Sequence, residues 1–129
     1  GARAAQAEAT WKEAEARYNR IRDEAVSGAA IAWADVDALR RTAEAQQREY
    51  AASRQARDVL FERFRVARGD LFSLVDAQEN FFGIAARYVQ TMVEHDVALY
   101  RLTERTGQLE TALGMPMPLD AQFRAKDRY

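Results

Sequence analysis

His95 is the one histidine of this chain, and it lies between two carboxylates in the run Glu94-His95-Asp96. Imidazole and carboxylate groups held together could bind a transition metal or transfer a proton. Adjacent residues of a helix, however, point about 100° apart, so Glu94 and Asp96 face other sides than His95. The favoured interpretation is a core or interface histidine, and the sequence predicts no metal site and no catalytic residue here.

No other residue pattern predicts catalysis. The sequence has no glycine-rich phosphate loop, no nucleophile elbow and no His-Glu-x-x-His motif. A di-iron helical bundle needs several Glu-x-x-His pairs, which a single histidine cannot supply. Cysteine is absent, which removes disulfides, thiolate metal sites and thiol catalysis. We therefore expect neither an enzyme nor a cofactor.

Charge and hydropathy argue against two further classes. The 19 lysines and arginines nearly cancel the 20 aspartates and glutamates, so no overall basic field is available to hold nucleic acid. No run of about 18 apolar residues could span a bilayer, and the first residues lack the apolar core of a signal peptide. The expectation is a soluble polypeptide, or a soluble piece of a larger one.

Composition and periodicity predict two long helices. Pro116 and Pro118 are the only prolines, and good helix formers dominate the chain before them. We expect a helix over about 2–66, a turn at about 67–71, a second helix over about 72–113 and a polar tail over 115–129. A helix of about 65 residues would extend on the order of 100 Å, so it must fold back on another element. The predicted fold is all-α, a long antiparallel coiled-coil-like helical hairpin.

Apolar and small residues recur along both helices at steps of three, four and seven. On the first helix they are Trp11, Ala14, Tyr18, Ile21, Ala25, Ala32, Val36, Leu39, Ala43, Tyr50, Leu60 and Phe64. On the second helix the main row is Leu74, Gln78, Phe81, Ala85, Tyr88, Met92, His95, Leu99, Leu102, Thr106, Leu109 and Leu113. Beside it runs the outer row, which consists of Val75, Phe82, Val89, Val93, Val97 and Tyr100. Two rows on one helix indicate neighbours on more than one side.

Glycine and aspartate mark the ends of these helices. Gly69 could take a left-handed backbone conformation after the first helix, and Asp70 could cap the second by accepting a hydrogen bond from an exposed amide. Gly114 is expected to end the second helix. Gly28 lies inside the first helix, where it indicates either a close approach of backbones or a tolerated glycine.

Four segments carry a resemblance to a known family. They are EAVSGAAIAWAD at 24–35, RFRV at 63–66, LFSLVDAQ at 71–78 and YRLTERTGQL at 100–109. In this order and spacing they resemble the C-terminal periplasmic helical hairpin of the outer-membrane efflux protein (TolC-like) family, in the branch that serves type I secretion. The resemblance covers roughly 21–114. Ala67 stands where the family usually has its turn glycine, which is displaced here to Gly69.

The resemblance implies a homotrimeric export channel in the cell outer membrane, with this hairpin as a piece of a periplasmic α-barrel. Its tip would dock on a periplasmic membrane-fusion adaptor, which connects the channel to an inner-membrane transporter. The candidate docking residues are Arg65, Val66, Arg68, Gly69, Leu71 and Phe72. The candidate residues of the channel constriction are Asp70, Ser73 and Asp76, of which Asp76 matches an acidic position of the family and Ser73 replaces another.

Several alternatives stay open at this point. In the family the hairpin belongs to a larger protein, so we expect this chain to be a piece of one. Alone, the apolar rows on its flanks would be exposed, so we expect the isolated hairpin to self-associate. Leu71 and Phe72 could begin the core between the helices rather than form a docking surface. The alternative function is the hairpin of a membrane-fusion adaptor or a generic coiled-coil interaction module. Arg68 and Leu71 match the spacing of adaptor tips, and Gln78 departs from it.

Overall fold

The fold is an all-α antiparallel hairpin of two helices that pack against each other. The computed structural model describes residues 1–66 and 69–114. Helix α1 spans Ala2–Arg65 and helix α2 spans Leu71–Ala112, against expected bounds of 2–66 and 72–113. Residues 67 and 68 of the predicted turn and the predicted tail at 115–129 lie outside the described residues.

The chain divides into two compact units. Unit 1 contains Gly1–Ala34 and Leu99–Tyr129, and unit 2 contains Asp35–Ala98. Unit 2 includes the turn and most of the candidate site.

In unit 2, α2 packs on α1 through residues at alternating steps of three and four. These buried or half-buried residues are Leu74, Ala77, Phe81, Ile84, Tyr88, Thr91, His95 and Ala98. Of the predicted main row, Leu74, Phe81, Tyr88 and His95 lie in this interface. Gln78 and Ala85 are half-buried next to Ala77 and Ile84, whereas Met92 and Leu99 are one residue too late. Thr91 and Ala98 are 6% and 5% exposed, whereas Met92 and Leu99 are 45% and 41% exposed. The prediction favoured larger side chains, but alanine and threonine leave room for closer packing of the helices.

Helix α1 contributes polar residues to the same interface. Ser53 is buried, and Gln46 is half-buried at the seven-residue spacing that Leu39 and Leu60 share. The Ser53 hydroxyl donates a hydrogen bond of 2.9 Å to the carbonyl of Tyr50 within α1, which satisfies it without a partner on α2. A search for apolar periodicity alone does not detect these polar positions of the interface.

Among the described residues of unit 1, the most deeply buried is Ala32, at 3% exposure. A Cβ atom added at Gly28 would lie 3.5 Å from Cδ of Arg105, which is ordinary contact with a flexible side chain. Gly28 is therefore a tolerated glycine, and no close backbone approach requires it. Every residue of 1–24 is exposed, including Trp11 at 64%. Gly114 has a φ of 70° and follows α2, which confirms the predicted glycine stop.

Candidate functional site

Asp70 caps α2, as predicted. Its Oδ1 accepts a hydrogen bond of 3.1 Å from the backbone N–H of Phe72, and its carbonyl accepts one of 3.2 Å from the N–H of Leu74. The Ser73 hydroxyl also donates to Asp70 Oδ2, at 3.4 Å. The exposed amides at the start of α2 thereby gain partners, and the helix begins at a fixed position directly after the turn.

Gly69 lies where the chain passes very close to the end of α1. An added Cβ at Gly69 would lie 2.9 Å from the backbone nitrogen of Phe64 and 3.1 Å from the carbonyl carbon of Arg63. The returning chain passes so close to the end of α1 that no side chain fits there. The left-handed backbone conformation expected for Gly69 stays a prediction, because its φ depends on residue 68, which lies outside the described residues.

The tip presents apolar side chains to solvent. Val66 is 54% exposed, Leu71 is 53% exposed and Phe72 is 78% exposed. The alternative that Leu71 and Phe72 begin the core is therefore wrong, because the core residues of α2 start at Leu74. Arg65 lies at the end of α1, where its Nη2 is 3.1 Å from Oε2 of Glu62. Arg68 lies outside the described residues.

The candidate constriction residues occupy the first turns of α2. Asp70 and Ser73 are joined by the hydrogen bond described above, and Asp76 is exposed one turn beyond Phe72. The carboxylate of Asp70 is engaged in capping, whereas Asp76 faces solvent. That these residues line a channel constriction stays a prediction.

The outer row of α2 is exposed along its whole length. Its members are exposed as follows: Val75 45%, Phe82 59%, Val89 58%, Val93 57%, Val97 51% and Tyr100 75%. Val75 lies about 100° around the helix from Leu74 and about 160° from Ala77, so the outer row is turned away from the interface with α1. Burial within the hairpin therefore does not explain these residues.

A second exposed surface on α1 was missed by the sequence analysis. Small apolar residues recur every seven positions at Ala38, Ala45, Ala52, Val59 and Val66, and all of them are exposed. This set is called the alanine stripe. A shallow groove on it is lined by Ala52, Gln55, Ala56, Val59, Leu60 and Arg63. The regular seven-residue spacing is the signal that could have identified the stripe.

His95 lies in a cleft of about 180 Å³ between α1 and α2 of unit 2. Its Nδ1 is 3.9 Å from Oδ1 of Asp96, and Arg40 and Glu44 line the opposite wall. Within residues 1–66 and 69–114, no group of three histidine, cysteine or acidic side chains is placed to hold a metal ion. His95 is half-buried between the two helices, which confirms that it is a core or interface residue.

Arg40 beside this cleft joins two carboxylates. Its Nη2 is 2.9 Å from Oδ1 of Asp37 and its Nη1 is 2.9 Å from Oε1 of Glu44. The hydrogen bond from Arg40 is the main cause that lowers the pKa of Asp37 below its ordinary value, and the charge of Arg41 adds to it. The network stabilises the charged form of Asp37 on an exposed part of α1.

Comparison with protein-family models, with curated protein sequences and with solved structures found no match for this chain. Among the described residues, neither helix has an apolar stretch of the length needed to cross a membrane.

Proposed function

We propose that the hairpin forms part of the periplasmic tunnel wall of a TolC-like outer-membrane export channel, of the kind that serves type I secretion or efflux. In this role the tip docks on a periplasmic membrane-fusion adaptor that leads to an inner-membrane transporter. The channel is a homotrimer, and the hairpin contributes structure and contacts, with no catalysis and no cofactor. Three observations support this proposal: the resemblance of the four sequence segments, the exposed outer row of α2 and the exposed apolar tip.

The outer row of α2 is the observation that carries the proposal. A two-helix hairpin that only pairs with itself needs a single interface, and the remaining faces of its helices can be polar. Here five apolar side chains from Val75 to Val97 follow one another on the face of α2 that is turned away from α1. Contiguous exposed apolar patches of this kind mark contacts with other proteins. In a tunnel wall, every helix has neighbours on both flanks.

The exposed tip supports the second half of the proposal. Phe72 is the most exposed large apolar residue of the described chain, and it lies directly after the capped start of α2. Because the cap at Asp70 and the close approach at Gly69 fix the start of α2, Leu71 and Phe72 are held outward on a defined support. A fixed apolar tip suits docking, since little conformational entropy is lost on binding.

The hairpin of an adaptor and a generic coiled-coil module are the competing functions. In both of them, the apolar residues would be buried mainly within one hairpin. The exposed outer row therefore favours the tunnel wall over these two functions. Burial of the outer row in the assembled protein is therefore the property to test.

The test is cysteine labelling of the protein assembled in its own cells. A hydrophilic maleimide is applied to a Val89→Cys variant, and the labelled fraction is compared with that of Ala51→Cys. Ala51 is an exposed α1 residue with Gln47 and Asp58 on its face, so it is the matched control. The proposal expects slow labelling at position 89 and fast labelling at position 51. Equal labelling at both positions would contradict the tunnel-wall role.

A further inference from the structure

We propose that the alanine stripe of α1 receives the outer row of α2 from a second copy of this chain. Two hairpins then lie side by side with their tips at the same end, and α2 of one packs on α1 of the next. The inference deepens the proposed function by naming the surface that receives the outer row. Its test uses the purified chain, so it can fail or succeed independently of the transport role.

The two surfaces are complementary in side-chain size. The outer row is formed by valines and Phe82, whereas three of the five residues of the alanine stripe are alanine. Helices approach most closely where large side chains of one enter spaces above small side chains of the other. Neither surface is buried within its own hairpin.

The levels of the two surfaces along the hairpin also agree. Within one hairpin the guanidinium carbon of Arg57 lies 4.2 Å from the centre of the Phe81 ring, so Phe82 is level with the region around Arg57. The groove between Ala52 and Arg63 lies at this level on the exposed side of α1. When two copies have their tips level, Phe82 of one therefore faces the groove of the other.

Charge favours contact between unlike helices. Residues 40–65 of α1 contain seven arginines and four acidic residues, whereas residues 70–98 of α2 contain five acidic residues and one arginine. Pairing of α2 with α2 would bring like charges together, and pairing of α2 with α1 of a second copy brings opposite charges together. The charge distribution therefore favours packing of α2 of one copy on α1 of the next.

One ion pair between copies follows from this arrangement. Glu79 lies four residues after Val75 and three before Phe82, so it lies on the face of the outer row. Arg63 lies four residues after Val59 and three before Val66, on the face of the alanine stripe, and it lines the groove. Both are exposed, and neither pairs with an oppositely charged side chain in the described part of the chain. Glu79 of one copy is placed to meet Arg63 of the next.

Because each copy carries both surfaces, the contact is heterologous: a dimer formed by it leaves one outer row and one alanine stripe free. Association is therefore expected to continue beyond the dimer as the concentration rises. This behaviour differs from that of a closed two-fold dimer, which stops at two copies.

Sedimentation velocity of the purified 129-residue chain over a concentration series tests the proposal. Glu79→Arg alone and Arg63→Glu alone should each weaken association about fivefold, the effect of one partly exposed ion pair. The two changes in the same chain should restore association, because each interface then regains opposite charges. Failure of the double variant to recover would overturn the pairing.

A second pair of variants tests the apolar contact. Phe82→Glu should weaken association at least about tenfold, since it places a charge among apolar residues. The control is Trp33→Glu, which changes an aromatic residue of similar exposure (62% against 59%) outside both surfaces. Circular dichroism checks that both variants keep their helices. Association that is absent in the wild-type chain, or equal in the two variants, would overturn the proposal.

The labelling experiment in cells and the sedimentation experiment on the purified chain distinguish a failure of the transport role from a failure of the pairing between copies. Free labelling of position 89 in cells, together with recovery in the charge-swap double variant, would reject the transport role and keep the pairing of copies. Protection of position 89 in cells, together with a strictly monomeric purified chain, would assign the outer row to a different protein and reject the pairing.

Discussion

The guanidinium of Arg57 on α1 lies over the ring of Phe81 on α2, with its central carbon 4.2 Å from the ring centre. The same guanidinium is 3.0 Å from Oδ1 of Asp58, and the ring of Tyr50 is centred 5.3 Å from that of Phe81. A cation over an aromatic face is attracted by the negative charge density of the ring. An arginine can therefore take part in the interface while its charged end stays paired and partly hydrated.

Arg57→Ala should lower the free energy of unfolding by about 1 kcal/mol, since it removes the cation and the methylene groups that pack on Phe81. Urea denaturation followed by circular dichroism measures this change. Arg48→Ala is the control, because Arg48 is exposed and lies nine residues before Arg57, on the opposite face of α1. An equal loss in both variants would show that the contact with Phe81 contributes nothing specific.

Gly69→Ala should lower the free energy of unfolding by about 1–2 kcal/mol, because the new Cβ would clash with backbone atoms. The clash is with the backbone of Phe64, at 2.9 Å. Gly107→Ala should raise the free energy of unfolding by up to about 1 kcal/mol, since no atom lies within 4 Å of the added Cβ in this helix interior. Thermal unfolding of both variants checks the opposite signs. Stabilisation by alanine at position 69 would contradict the close approach.

Asp70→Ala should destabilise the start of α2 and cost about 1 kcal/mol, because the amide of Phe72 loses its acceptor. Asp70→Asn keeps an acceptor oxygen and should cost much less. Amide hydrogen exchange at Phe72 reports the effect locally, with faster exchange expected in the alanine variant only. Similar exchange in the two variants would indicate that the capping bond does not protect this amide.

The carboxyl of Asp37 should titrate below its ordinary pKa because Arg40 donates a hydrogen bond to the charged form. Since the folded-state pKa is lowered, the stability that this group contributes is present above the ordinary aspartate pKa and is lost as the pH falls through the folded-state value. NMR titration of the Asp37 carboxyl carbon measures the midpoint. Arg40→Gln should raise it, and an unchanged midpoint in that variant would rule out the proposed cause.

The hairpin itself could be predicted from the sequence. The absence of proline before Pro116 and the capping pattern around Gly69 and Asp70 indicate two long helices joined by a short turn. These signals are local, because helix propensity and capping depend on residues that are close in the sequence. The helix bounds depend on the same signals, and α1 ends at Arg65 while α2 begins at Leu71.

The details of packing could not be predicted in the same way. Thr91 and Ala98 lie in the interface, while the larger Met92 and Leu99 beside them are exposed, because the distance between helices depends on the partner helix. The role of Gly69 depends on where the returning chain passes Phe64, which no local propensity encodes. The alanine stripe became apparent only when burial showed that its residues face away from α2.

The most direct test of the central claim is in-cell cysteine crosslinking between the tip of this hairpin and the tip of a periplasmic adaptor. Cysteine replaces Leu71 or Phe72 in the assembled protein, and Trp11→Cys is the control, because Trp11 is also exposed but lies near the opposite end of α1. The account predicts crosslinks from positions 71 and 72 that depend on the adaptor position chosen, and none from position 11. With the adaptor present and the channel assembled, no crosslink from either tip position, or equal crosslinking from position 11, would contradict it.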